Sequence, residues 1–252
     1  MNNFVIETKK LSKNFGQHKV LNELDLKVER GKALVILGGS GTGKSVLIKT
    51  IIGLMKPSSG EIIVDGIDIT KQTKKEHDDF LRRCGFLFQG GALFDSLNIE
   101  DNITFFASRI RRLTSKEKAE LASEKLHSVG LDDRLLGLYP SELSGGMQKR
   151  VALARTICTN PEIIFFDEPT TGLDPIMSNV INELIIRATD KLGATSVTIT
   201  HDMNSARLIA DKIAMIHGGK IIWEGTSDNL SDSGNPIVDQ FVKGATKGPI
   251  EV

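Results

Sequence analysis

The sequence predicts an α/β fold: a mostly parallel core sheet, an antiparallel β subdomain and an inserted helical subdomain. Three observations carry that expectation. A continuous apolar run, Ala33 to Leu37, breaks at Gly38 and is followed by helix-spaced apolar residues, as a buried strand feeding a helix requires. The first thirty residues instead alternate apolar and polar positions (Phe4, Ile6; Leu24, Leu26, Val28), the pattern of half-buried antiparallel strands. From about Asn98 to Thr159 the period becomes helical, and strand runs then resume.

In chain order, the helix after Gly38 is marked by Val46, Leu47, Thr50, Ile51 and Leu54. Glu61 to Ile69 alternates again (Ile63, Asp65, Ile67), which predicts a further strand. Lys71 to Arg83 is a charged, solvated helix or loop to which no chemistry is assigned. The helical lobe carries a polar face at Ser115-Lys116-Glu117-Lys118 and an apolar one at Leu121, Leu126 and Val129. Buried strand runs follow at Ile163 to Phe166, Ser196 to Thr200 and Ile213 to Ile216. Helices are expected between them at Ser178 to Leu192 and Met203 to Asp211. The expected division is one domain over 1–252, with a core formed by 1–89 and 160–230, a helical subdomain over about 90–159, and a partly irregular tail over 231–252.

A chain of 252 residues buries a sizeable core. Its 32 basic and 32 acidic residues cancel, so no overall positive field draws it to nucleic acid or anionic lipid. The two cysteines, Cys84 and Cys158, form no CxxC pair and read as small buried hydrophobes in a reducing compartment. Met1-Asn2-Asn3-Phe4 lacks the basic region and apolar run of a signal peptide. The longest apolar stretches fall far short of the ~20 residues a membrane span needs. Any membrane role is therefore expected to come through a partner.

Gly38-Gly39-Ser40-Gly41-Thr42-Gly43-Lys44-Ser45 fits GxxxxGK followed by Ser or Thr, a phosphate-binding loop. Glycines let backbone N–H groups converge on phosphate oxygens, and the following helix, from Val46 onward, presents its positive end. Lys44 reaches the β and γ phosphates and the Ser45 hydroxyl ligates Mg²⁺, so ATP and Mg²⁺ are the expected ligands. Ile163-Ile164-Phe165-Phe166 ends in Asp167 and Glu168, as expected of a buried strand opening onto a nucleotide. Asp167 would hold the Mg²⁺ shell, and Glu168 would orient and polarise the attacking water. At Leu143-Ser144-Gly145-Gly146-Met147-Gln148 a hydroxyl and free N–H groups open a helix, read either as an ordinary N-cap or as an anion contact.

Together these motifs resemble the ABC ATPase family over essentially the whole chain. The resemblance implies a head-to-tail homodimer in which the phosphate loop of one subunit and Ser144, Gly145 and Gly146 of the other enclose each ATP. It places Asp174, in Thr171-Gly172-Leu173-Asp174, in the loop linking the two sites, and makes His201 the switch histidine at the γ-phosphate. Gln89 becomes the glutamine contacting Mg²⁺ and water, and Phe15, in Asn14-Phe15-Gly16, the aromatic on adenine, although Phe15 also reads as core. Ala92, Leu93, Phe94 and Leu97 read either as the groove for a polytopic membrane permease or as core of the helical lobe. One departure is Met147, where the family signature carries Gln.

Within the family, the chain is most similar to the Mce/Mla-type phospholipid transport ATPases. That similarity rests on Phe88-Gln89-Gly90-Gly91-Ala92-Leu93-Phe94-Asp95-Ser96, on Met147 with Lys149-Arg150, and on Phe241-Val242-Lys243-Gly244 with Gly248-Pro249-Ile250. It implies a permease, an Mce-domain substrate-binding protein, phospholipid cargo held by those partners, and a location at the cytoplasmic face of the inner membrane. The alternatives are the ATPase of an amino-acid or metal-ion importer, and a soluble ABC ATPase acting on nucleic acid. The balanced charge and the lack of a coiled-coil insertion or second ATPase domain speak against the latter, so no nucleic-acid partner is expected.

Overall fold

A computed structural model describes residues 3–250. Met1 and Asn2, read above for targeting, and Glu251 and Val252 of the tail lie outside the described residues. In chain order the elements are β1 (Phe4–Phe15), β2 (His18–Glu29), β3 (Ala33–Leu37), α1 (Lys44–Ile51), β4 (Ser59–Val64), β5 (Ile67–Asp68) and α2 (Lys74–Arg82). Then come β6 (Cys84–Leu87), α3 (Ile99–Ile110), α4 (Ser115–Ser128), α5 (Gly145–Thr156), β7 (Ile163–Asp167) and α6 (Pro175–Leu192). The chain closes with β8 (Thr195–Thr200), α7 (Met203–Ile209), β9 (Lys212–His217), β10 (Lys220–Gly225) and α8 (Pro236–Lys243). Two compact units result: Met1–Leu81 with Thr195–Val252, and Arg82–Ala194.

The first unit holds an antiparallel sheet in the order β2-β1-β4-β5. Alternation does what it predicts, because Leu21, Leu24, Leu26 and Val28 of β2 are buried while the residues between Leu24 and Val28 on the other face are exposed. Asp65 and Gly66 both take positive φ, 50° and 82°, which is the twist a two-residue hairpin needs between β4 and β5. The same unit pairs β3 in parallel with β8 on one side and β9 on the other, and β10 runs antiparallel to β9. Every residue of β8 is buried, as are Leu34 to Leu37 of β3, so these strands read as continuous apolar or small-residue runs.

The second unit contains the parallel pair β6 and β7 together with α3, α4, α5 and α6. The helical segment expected at 98–159 is present as α3, α4 and α5. Thr114 and Glu117 form a reciprocal capping box that starts α4, and Asn98 caps α3 by accepting from the Asp101 N–H.

Several expectations are corrected. Leu54 lies beyond α1 and is exposed, because Ile52 and Gly53 have already left the helix. Asp211 is not in α7; its carboxylate accepts from the Ala33 N–H at 2.8 Å, tying the start of β9 to the start of β3. β10 follows a Gly218-Gly219 turn that the sequence reading passed over, and the tail carries α8, capped by Asn235 with Pro236 at its first position. Both cysteines are buried and free, as expected. Among the described residues no helix is long and apolar enough to cross a membrane.

Candidate nucleotide site

The phosphate loop leaves β3 where that strand and β8 end together. Leu37 pairs with Thr200 of β8 and with Met215 of β9, so Gly38 and His201 both follow strand carboxyl ends at one level. In parallel α/β sheets this edge is where ligands bind. Two of the loop's glycines, Gly38 and Gly43, are sterically required. A Cβ on Gly38 would sit 2.7 Å from the Ile216 carbonyl oxygen, and one on Gly43, at φ 102°, would sit 3.0 Å from that of Val20. Gly43 is also the N-cap of α1 and offers no side-chain acceptor, and the first turn holds no acidic residue. The first-turn N–H groups are thus not capped by a side chain, which is the donor set an anion takes.

Lys44 is buried, and its ammonium donates to the carbonyls of Gly38 at 2.7 Å and Gly39 at 2.9 Å. Thr42 Oγ1 donates to the Gly39 carbonyl at 2.9 Å, closing the loop on itself. Ser40 and Gly41 are exposed, and Ser45 and Val46 are half-buried at the start of α1. His201 is exposed; Asp202 behind it caps α7 by accepting from the N–H groups of Asn204 and Ser205. Phe15 ends β1 with 48% of its surface exposed and the Lys13 ammonium 5.2 Å from its ring centre, so it is not a core residue.

The second unit gathers the other predicted residues. Leu87 of β6 pairs with Phe166 of β7, so Gln89, Asp167 and Glu168 follow from one edge of that pair, over the stacked rings of Phe86 and Phe165. Gln89 is exposed, Asp167 half-buried and Glu168 buried. Glu168 sits at φ 49°, a left-handed conformation that costs a non-glycine residue on the order of 1–3 kcal/mol and clusters at functional sites. Its carboxylate accepts from Thr171 Oγ1 at 3.2 Å.

Ser144 is the N-cap of α5, accepting from the Met147 N–H at 3.4 Å, and both Ser144 and Gly145 are exposed. Met147 therefore serves the cap through its backbone, which the change from Gln leaves intact. A Cβ on Gly146 would meet Met177 Cε of α6 at 2.7 Å, the far end of a flexible side chain. Asp174 is itself an N-cap, accepting from Ile176 and Met177 at 2.9 Å with Pro175 opening α6. Ala92 and Phe94 are exposed, and Leu93 and Leu97 are half-buried.

The sequence reading quoted Lys149 only as part of a family motif and passed over Arg155. Lys149 and Arg155 of α5 are cations turned inward: Lys149 donates to the Gln89 carbonyl, and Arg155 to the carbonyls of Gly91 and Ala92. Burial pushes the Lys149 ammonium below its ordinary pKa, an effect partly offset by the charges of Asp167 and Glu168. A lysine on a helix reads as solvated, and only packing reveals otherwise.

Comparison with known proteins agrees with this geometry. The ABC transporter family model matches residues 21–171. The chain is 42% identical over 250 residues to the intermembrane phospholipid transport system ATP-binding protein MlaF of Haemophilus influenzae, covering 99% of this chain and 94% of that protein. It is 40% identical over 250 residues to the probable ribonucleotide transport ATP-binding protein mkl of Mycobacterium leprae, covering 97% and 70%. Among solved structures, an ATP-binding cassette captured as a dimer in a post-hydrolysis state with ADP and Pi superposes with a TM-score of 0.80 at 31% identity, covering 88% of this chain and 98% of that one. On its loop, its acidic strand, its capped signature and this collinearity, the chain belongs to the ABC transporter family, as one of its ATP-binding, ATP-hydrolysing subunits.

Proposed function

We propose that this chain energises phospholipid transport between bacterial membranes, acting as a homodimer beneath a polytopic permease at the cytoplasmic face of the inner membrane. The observation that carries the reading is collinearity with MlaF over 99% of this chain and 94% of that protein, with no large insertion on either side to build a different machine. An Mce-domain protein belongs to the proposal as the partner that hands over lipid. The dimer is supported by the dimeric cassette that superposes on the chain.

ATP would be held by the donors of Gly38 to Val46, with Phe15 stacked on the base and Ser144, Gly145 and Gly146 supplied by the other subunit. Asp174 would lie in the loop joining the two sites. Mg²⁺ fits the donors assigned to it: the Ser45 hydroxyl, the Gln89 amide oxygen and the Asp167 carboxylate are hard oxygens, and this ion needs only one or two carboxylates beside phosphate and water. When bound it neutralises charge on the phosphates. Glu168 is the proposed general base toward water, His201 the γ-phosphate contact, and Lys44 the fixed positive charge. The division into a core over 1–89 and 160–230 and a helical subdomain over about 90–159 is part of the same proposal.

Two experiments test it. Glu168→Gln should lower ATP turnover by roughly 10²- to 10⁴-fold, about 3–5 kcal/mol, while ATP binding persists; undiminished hydrolysis would remove Glu168 from the mechanism. Purification from native membranes in mild detergent, with mass spectrometry of what accompanies the chain, should return a permease, an Mce-domain protein and phospholipid. The similarity to mkl gives the competing outcome, a permease with a ribonucleotide cargo, which would overturn the lipid reading and leave the ATPase standing.

A further inference from the structure

We infer that Lys149 and Arg155 are positioning residues that lock the Gln89 segment to the helix opened by Ser144, so that both report on the nucleotide as one body. The inference rests on the ATPase reading above and deepens it. α5 supplies side-chain donors to four carbonyls of β6 and the chain that leaves it. Thr156 Oγ1 donates to Phe86 at 2.9 Å, Lys149 to Gln89, and Arg155 to Gly91 at 2.6 Å and Ala92 at 2.7 Å. Lys149 and Thr156, seven residues and nearly two turns apart, share one face of the helix, and Arg155 reaches the same segment from the neighbouring flank. Lys149 and Arg155 sit close against their acceptors: the Lys149 residue is 8% exposed, and burial holds the Arg155 guanidinium below its usual range.

The held segment needs such a clamp. Gly91 and Ala92 take consecutive positive φ values of 73° and 50°, and alanine pays for that conformation unless its surroundings fix it. Both carbonyls that this turn projects are the ones Arg155 takes. The Gly91 N–H closes the turn on the Phe88 carbonyl at 2.7 Å, and beyond it Asn102 receives the Phe94 N–H at 2.8 Å. The segment is pinned on both sides of Gln89, leaving the Gln89 side chain as its free end.

The test uses the full chain and reads hydrogen exchange at the Gly91 amide beside ATPase kinetics. Lys149→Met matches the lysine side chain as far as Cε and removes the donor. It should speed Gly91 exchange by about tenfold or more and lower kcat by about tenfold, with KM for ATP within about threefold. Lys149→Gln, whose amide N–H reaches for the same carbonyl, should bring exchange back to within about threefold of the parent. Unchanged Gly91 protection in Lys149→Met, or equal loss in both variants, overturns the proposal. Should Lys149→Met fail to fold, Arg155→Lys replaces two donors by one group and must also speed exchange at Gly91; protection equal to the parent overturns the proposal there too. Exchange is read without ATP, so a chain that hydrolyses nothing would sink the ATPase reading while leaving the clamp to be judged on its own.

Discussion

At the scale of single residues, the same atoms often carry two duties. Ser144 and Asp174 are read from the sequence as contacts to ATP and to the second site, yet both are helix caps that the fold requires on its own account. Gly146, read from the resemblance as a phosphate contact, also faces Met177. Replacement of such residues confounds stability with catalysis, whereas Glu168→Gln preserves shape and changes only charge. The cysteines give a cleaner stability signal. Burial pushes the Cys158 thiol from 9.0 up to about 11, and the Cys84 thiol further still. A thiol whose pKa is raised by folding adds stability that is complete below about pH 9 and is lost as pH climbs through about 11, because the unfolded chain ionises first. Denaturant unfolding at pH 8.5 and at pH 11 should differ by on the order of 2 kcal/mol more in the parent than in Cys158→Ala.

At the scale of elements, the strands and the phosphate loop were legible because their signals are local: alternation in β1 and β2, an apolar run in β3, a glycine pattern before α1. What escaped depends on partners distant in sequence. β10 is a modestly buried strand whose existence is fixed by pairing with β9, and the inward direction of Lys149 is fixed by the chain leaving β6. The left-handed backbone of Glu168 carries no sequence mark either, since glutamate seldom adopts it. The junction of β1 and β4 shows how sharply such contacts constrain a position. Gly60 sits at φ 89°, and a Cβ there would lie 2.4 Å from the Lys10 carbonyl oxygen, where β1 bulges and the Lys10 N–H turns to Asp25. Gly60→Ala should destabilise the protein by about 2–4 kcal/mol, visible as a thermal midpoint lowered by roughly 5–10 °C. A shift under 1 °C would show that the bulge yields freely.

At the scale of the whole molecule, ATP should act as a stabiliser as well as a substrate. In Glu168→Gln, ATP with Mg²⁺ at about a hundred times its Kd should add about 2.7 kcal/mol, raising the midpoint by roughly 5–10 °C. Adding Lys44→Ala should erase that gain, and a gain that survives would mean that ATP is held elsewhere. The placement of β3 bears on a different clock. Its partners β8 and β9 both begin after residue 194, whereas β1, β2 and β4 are complete by residue 64. On a ribosome adding about 5–20 residues per second, the antiparallel sheet can assemble at once, while the strand that carries the phosphate loop waits about 10–30 s with both edges bare. That interval is when a nascent chain is exposed to wrong pairing, and it makes β3 the segment a chaperone has most reason to cover.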